Sequence, residues 1–329
     1  MTRLIQIGMG GMGGAWLRAI RESDEAEHAA FVEINDDIAR SQCQQFGLDP
    51  ALVFRSLPEA IEAVKADGVV VVTPPQFHRE HSVQALRAGL PVLSEKPLAD
   101  SMEAAREIVR VADETGVLHM VAQNYRYSAP IQTLKSVLDS SRLGEVGAVS
   151  VQFFRGPHFG GFRERMPFPL IVDMSIHHFD LMRFLLGLEA VEISGFSFNP
   201  SWSWFEGDAS ALVSLRFAQA EGRGTGADVF VGYHASWCSN GAETPWNGEW
   251  RFDCEGGVVT LEQDRVKVYQ GSPDGEYVAP VALERTGQAH LLHQFVEALA
   301  GGPRPETVCQ DNIKSLKIVF DTLTAIGDA

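Results

Sequence analysis

Residues 4–14 read LIQIGMGGMGG, and how this stretch is parsed decides the architecture. A mostly apolar run stops at a cluster of glycines, and helical spacing follows over residues 14–22. Gly8, Gly10 and Gly13 thus stand in G-x-G-x-x-G spacing between a strand and a helix, the context that gives such spacing its meaning. Gly8 permits the tight turn, Gly10 lets the backbone approach a pyrophosphate, and Gly13 lets helix and strand pack closely. Gly11 and Met12 complete the loop, and the helix N-terminus faces the phosphate charge. Glu33 ends the next strand, AAFVEI, about 20 residues on, where a carboxylate accepts hydrogen bonds from an adenosine ribose. Ile34 and Asn35 follow it rather than an arginine, so a 2'-phosphate would meet repulsion from Glu33. NAD is favoured over NADP, and Arg40 is the nearby cation able to weaken that preference.

Outward from the loop, short apolar runs alternate with helical patterns. AAFVEI precedes a helix over 36–46, GVVVVT one over 76–88, and LPVLSE one near 101–115, with VLHMVAQ closing the series. Apolar runs without alternation are strands buried on both faces, so a parallel sheet covered by helices is expected. This predicts a Rossmann-type doubly wound α/β domain over residues 1–122. Beyond about residue 145 the strands lengthen and alternate, as in AVSVQFF, SALVSLRF, DVFVGYHASW and GVVTLEQ, interrupted by one helix, LIVDMSIHHFDLMRFLLG. Residues 123–329 are therefore expected to form an α+β domain with a mainly antiparallel sheet. Helices near 287–300 and 310–327 end the chain, and the last is expected to pack back on the first domain.

The length of 329 residues suits two domains better than one core. Forty-three acidic against 27 basic side chains give a net charge of -16, which disfavours nucleic acid and anionic lipid as partners. Cys43, Cys238, Cys254 and Cys309 are far apart and form no CxxC pair, so neither a zinc site nor a disulfide framework is expected. Neither a secretory signal nor a membrane span is legible, and the expected location is the cytoplasm.

Two further stretches carry chemistry. Thr73-Pro74-Pro75 and Glu95-Lys96-Pro97 both end apolar strands, and ligands of open α/β sheets gather outside the carboxyl ends of strands. Lys96 is thereby delivered to the mouth of a cofactor crevice. There it can hydrogen-bond a substrate oxygen or, if desolvated, act as a better proton donor.

GMGGMG, TPPQFHREHSVQALRAG, LSEKPLADS, DMSIHHFDLMRFLLG and QDNIKSLKIV together resemble the Gfo/Idh/MocA oxidoreductase family, whose members include inositol dehydrogenases and glucose-fructose oxidoreductase. The resemblance covers nearly the whole chain. It implies an open sheet in the second domain that forms a homodimer or homotetramer interface, and it sets His78 of TPPxxH close to the nicotinamide.

Asp173 and His177 are four apart on a predicted helix, so both can project toward one point. An alcohol that gives up hydride must also lose its hydroxyl proton, and histidine titrates in the suitable range. His177 is the expected proton acceptor, while Asp173 orients its imidazole or binds a neighbouring hydroxyl. The resemblance implies the same set of Lys96, Asp173 and His177. His178 and Asp180 are expected to be structural. Ser175 stands where the family pattern has glycine, and RERMPFPLIV replaces a glycine-rich lead-in. His78 and His81 lack the H-E-x-x-H spacing, and no metal is expected.

Candidates for a substrate wall are Arg126, Trp202 and Trp237, with a surface role for Arg126 and core packing for the tryptophans as the competing expectations. The combined reading is an NAD-dependent dehydrogenase acting on a secondary hydroxyl of a cyclic polyol, sugar or sugar derivative. The competing readings are a cofactor-binding regulator without turnover and a dehydrogenase or reductase of a nonsugar substrate.

Overall fold

The computed structural model describes residues 1–218 and 228–327. The chain divides into two compact units, Met1–Asn124 with Arg285–Leu316, and Tyr125–Glu284 with Lys317–Ala329.

In the first unit the order is β1 (Thr2–Ile7), α1 (Gly13–Arg21), β2 (Ala26–Val32), α2 (Asp36–Phe46), β3 (Val53–Phe54), α3 (Leu57–Ala63), β4 (Gly68–Val71), α4 (His78–Arg87), β5 (Val92–Ser94), α5 (Met102–Thr115) and β6 (His119–Val121). The strands form one six-stranded parallel sheet in the order β3-β2-β1-β4-β5-β6. Every residue of β4, GVVV, is buried, as a strand covered on both faces requires. Helix ends follow local chemistry: Asn35 caps α2 by accepting from the amides of Asp37 and Ile38, and Gly47 ends it at φ 63°. Ser101 and Gly116 do the same for α5. The strand order reverses between β1 and β4, which opens a crevice at their carboxyl ends.

The second unit runs through α6 (Ala129–Asp139), β7 (Val146–Phe154), α7 (Ile176–Leu186), β8 (Glu189–Phe198), β9 (Ser210–Ala218), β10 (Val229–Ser236), β11 (Glu249–Cys254), β12 (Gly257–Glu262), β13 (Arg265–Tyr269) and β14 (Glu276–Tyr277). Its eight-stranded sheet has the order β14-β13-β12-β11-β7-β10-β9-β8. All pairs are antiparallel except β7 with β10. Alternation separates the faces: Val213, Leu215, Val231 and Tyr233 are buried, whereas Phe196, Leu212 and Phe230 are exposed. Two late helices follow, α8 (Gly287–Leu299) and α9 (Cys309–Gly327). In the first unit α8 packs on α1, and His293 meets the Glu25 carboxylate at 2.9 Å.

Two expected helices begin differently. The one expected over 76–88 starts as a 3-10 turn, Pro75–Phe77, before α4. The one containing Asp173 opens as a π-helical turn, Leu170–Ser175, and only then becomes α7. Ser175 explains the widening: its buried hydroxyl donates to the Leu170 carbonyl at 3.1 Å and so competes for a helix acceptor.

Each unit also buries a histidine whose titration bears on stability. Burial pushes His119 of β6 down to about 3 and His178 of α7 down to about 4, where the Trp246 carbonyl opposes the shift. Unfolded, both titrate near 6.5, so their neutral packing is fully favourable above that pH. As pH falls below about 6.5, the unfolded chain takes up protons that the folded chain refuses, costing about 1.4 kcal/mol per pH unit per histidine. At pH 5 the pair is expected to cost about 4 kcal/mol relative to pH 8. Near pH 5 this pair should contribute about two of the protons taken up on unfolding in calorimetry, and His119→Leu should remove about one. Uptake independent of both side chains would refute this account.

Candidate functional site

The glycine loop is built by close approach. A Cβ on Gly8, whose φ is +93°, would lie 2.7 Å from the Val72 carbonyl oxygen, and one on Gly13 would lie 2.6 Å from the Gly8 oxygen. Gly8 is thus needed where the loops after β1 and β4 touch, and Gly13 where α1 closes on the turn. Gln6, buried between Ile5 and Ile7 of β1, donates its amide to the carbonyls of Gly8 and Gly13 at 2.9 and 3.0 Å. Its oxygen meets His28 Nε2 at 3.1 Å; burial holds His28 down at about 4, so this nitrogen carries the hydrogen and donates. Sequence reasoning missed Gln6, although an amide inside LIQIG was a legible signal.

Glu33 is buried at the end of β2, where Oε2 accepts from the Met9 amide and Oε1 from the Asn35 amide, both at 2.9 Å. Two hydrogen bonds leave acceptor capacity on a carboxylate for hydroxyl groups. Among the described residues, the amides of Gly10, Gly11 and Met12 make no hydrogen bond, and they precede the α1 N-terminus. Donors without partners beside a helix N-terminus suit a pyrophosphate, and Glu33 suits a ribose, so these residues fit NAD. Arg40, the cation able to favour a 2'-phosphate, pairs instead with Asp37 at 3.3 Å.

The loops after β4 and β5 are joined by side chains. His78, expected beside the nicotinamide, is fully buried at the start of α4 and lies 2.8 Å from both the Thr73 and the Pro97 carbonyl oxygens. Thr73, Pro74 and Pro75 form the loop it spans, and the Lys96–Pro97 peptide is cis. Glu95 is buried as well: Oε1 accepts the Trp16 indole N–H of α1 at 2.7 Å, and Oε2 accepts the Lys96 amide at 3.2 Å. Trp16 was not anticipated as a support for this loop. Lys96 itself is partly buried.

The second unit carries the other candidates. His177 is buried on α7 and its ring stacks on Tyr125, with centroids 4.0 Å apart and planes 19° apart. Burial pushes the Tyr125 hydroxyl up, Asp173 adds to the shift and Arg155 opposes it. Asp173, in the π-helical turn, accepts from Arg163 Nε at 2.6 Å. Arg163 lies over the rings of Phe159 and Phe162 and belongs to the RERMPFPLIV segment that departs from the family pattern. His178 donates from Nε2 to the Trp246 carbonyl at 3.2 Å, which leaves Nδ1 to accept from the Tyr233 hydroxyl at 3.0 Å.

The three expected wall residues differ from one another in their surroundings. Arg126 is neither on the surface nor an open ligand group: its Nε and Nη2 donate to the Asp180 carboxylate at 2.6 and 2.7 Å, both side chains buried. Trp237 is 2% exposed and packs against Phe159 and Phe205, so its indole face belongs to the core. Trp202 is 61% exposed, with its N–H donated to the Cys238 carbonyl at 3.2 Å. Among the described residues no group of three or more His, Cys, Asp or Glu side chains could hold a metal ion, and no helix is long and apolar enough to cross a membrane.

Comparison with known proteins bears on the fold. A family model described as "Oxidoreductase family, NAD-binding Rossmann fold" matches residues 3–123, and one described as "GFO/IDH/MocA C-terminal domain" matches residues 131–260. The chain is 29% identical to a 1,5-anhydro-D-fructose reductase of Ensifer adhaerens, over 96% of this chain and 93% of that protein. It is 30% identical to an inositol 2-dehydrogenase of Corynebacterium glutamicum over 57% of this chain and 55% of that protein. An Agrobacterium radiobacter oxidoreductase, solved with NAD+, L-tartaric acid and magnesium, superposes with a TM-score of 0.85 at 22% identity, covering 99% of this chain and 96% of that one. At that identity the likeness is one of fold.

Proposed function

Because the chain belongs to the GFO/IDH/MocA oxidoreductase family, we propose that it moves hydride between a secondary hydroxyl of a cyclic polyol, sugar or sugar derivative and the nicotinamide of NAD. The observation that carries this reading is the set of groups at the carboxyl edge of the parallel sheet. Three amides without hydrogen bonds among the described residues at Gly10, Gly11 and Met12, the Glu33 carboxylate, and Lys96 after β5 stand where the strand order reverses. Names of relatives support the substrate class, since the matched proteins are a reductase of an anhydro sugar and a dehydrogenase of inositol.

When bound, the nicotinamide supplies the acceptor for the hydrogen and electron pair leaving the carbinol carbon. This chain's residues handle the rest. His177 takes the hydroxyl proton, and its stack on Tyr125 fixes the ring plane. Lys96 donates a hydrogen bond to the oxygen as it becomes a carbonyl. Asp173, held by Arg163, orients the imidazole or a neighbouring substrate hydroxyl. NAD is preferred because Glu33 repels a 2'-phosphate and Arg40 is paired with Asp37. Screening polyols and sugars for reduction of NAD by absorbance, with NADP in parallel, tests the reading directly. Failure of every hydroxyl compound with both cofactors would leave only a binding role.

The four cysteines are free thiols, which suits a cytoplasmic location. The open face of the larger sheet, with Phe196 opposite Leu212 and Phe230 nearby, is suited to burial against a second copy of the chain. A monomer in sedimentation at micromolar concentration would argue against that assembly.

A further inference from the structure

His78 is a buried, titratable side chain with no role in the chemistry above. Its neighbourhood is short of donors. Pro74, Pro75 and Pro97 lack amide hydrogens, so the loop after β4 and the turn after Lys96 have few means of fastening to one another through their backbones. One imidazole does it instead: Nε2 is 2.8 Å from the Thr73 oxygen, and Nδ1 is 2.8 Å from the oxygen of Pro97, the residue directly after Lys96. The ring is fully buried, and the strands leading into the two loops are adjacent, with Val71 paired to Ser94.

We propose that His78 is a positioning residue for Lys96: its ring fastens the Pro97 carbonyl to the Thr73 carbonyl, so that the two loops at the sheet edge hold the lysine as one piece. The functional weight of this proposal rests on the catalytic reading of Lys96. Its geometry does not.

Two carbonyl acceptors need two N–H donors, and only the protonated ring has both. Burial, the largest influence, and His81 one turn along α4 push the His78 pKa down, the Thr73 and Pro97 carbonyls and Asp100 pull it up, and the net shift is downward, so the ring takes its second proton only below the ordinary histidine range. His119 of β6, itself pushed down by burial and by the neighbouring His78, is neutral over this range. The fastening is therefore complete on the acid side of the ring's titration and loses one of its two bonds on the alkaline side.

The experiment reads Lys96 without turnover or cofactor. Acylation of Lys96 by an amine-reactive reagent is followed by mass spectrometry against pH, with exposed Lys65 as the reference for ordinary amine ionisation. In parallel, 15N-histidine spectra report the protonation of His78. In the wild type, Lys96 labelling relative to Lys65 should rise by about tenfold as His78 loses its second proton, the factor set by losing one hydrogen bond worth about 1.4 kcal/mol. His78→Gln, which keeps one amide donor group, should label fast across the whole range and show no step. Ser82→Ala removes only the neighbouring hydroxyl that meets His119 at 3.0 Å, and it should retain the wild-type step. The proposal is overturned if His78→Gln labels like the wild type, or if Ser82→Ala raises labelling as much. Should His78→Gln not fold, the wild type decides: a flat Lys96 profile across the His78 transition overturns it. None of these outcomes depends on dehydrogenase activity, so that reading can fail separately.

Discussion

Replacing His177 by alanine is expected to lower kcat by about 10²–10⁴-fold, the range spanned by loss of a general base, with NAD affinity unchanged. Three groups near the Tyr125 ring compete for the role of base. Tyr125 is pushed up by burial and by Asp173, so it stays protonated at working pH. Asp173 already accepts a hydrogen bond from the Arg163 guanidinium at 2.6 Å, which commits one of its oxygens to that partner. An imidazole, by contrast, ordinarily titrates in the range an alcohol dehydrogenase needs, and His177 is held flat against Tyr125. The glycine loop and Glu33 belong to the other compact unit, so the substitution leaves the dinucleotide groups intact. Lys96→Ala should lower kcat with a similarly small change in NAD affinity. Fluorescence titration with NAD and steady-state rates separate the two quantities. Wild-type turnover by either variant on the true substrate would remove that residue from the mechanism.

What was legible in the sequence follows from which interactions are local. GMGGMG and the acid 20 residues beyond Gly13 are read from spacing, because turn and helix N-terminus are built by neighbours along the chain. The same holds for the unbroken apolar strands of the parallel sheet and the alternating strands of the larger one. The partners of the site's supports were not legible, even where a residue such as Gln6 stood out. Gln6 to Gly13, Trp16 to Glu95, and Arg163 to Asp173 are pairings that no periodicity encodes. The π-helical turn escaped notice for a related reason: apolar spacing over residues 170–187 fits a plain helix, and only the Ser175 hydroxyl reaching back to Leu170 widens it. His78 shows how a family likeness can direct attention to a residue without revealing its protein contacts. The motif lies beside the candidate site, yet the ring faces two backbone carbonyls.

Asp180→Ala is expected to destabilise the second unit by about 3–5 kcal/mol, the cost of leaving one member of a buried ion pair behind. Arg126 and Asp180 have side-chain exposures of 5% and 0%, and their two charge-assisted hydrogen bonds are 2.6 and 2.7 Å long. Without the carboxylate, a guanidinium that cannot deprotonate is left in an interior it shares with the Phe184 ring. The pair itself need not add net stability, because desolvation of two charges offsets most of their attraction. The decisive comparison is therefore with Arg126→Met combined with Asp180→Leu, which removes both charges and should recover most of the loss in urea unfolding. Asp180 stands one turn beyond His177 on α7, so activity distinguishes two purposes for the pair. If it only fills the core, the double variant regains kcat together with stability. If its hydrogen bonds fix the rotation of α7, the double variant is stable and still slow, with KM for the hydroxyl substrate raised. A loss below about 1 kcal/mol for Asp180→Ala would mean that Arg126 reaches water or another anion when released, and that its burial is not enforced by packing.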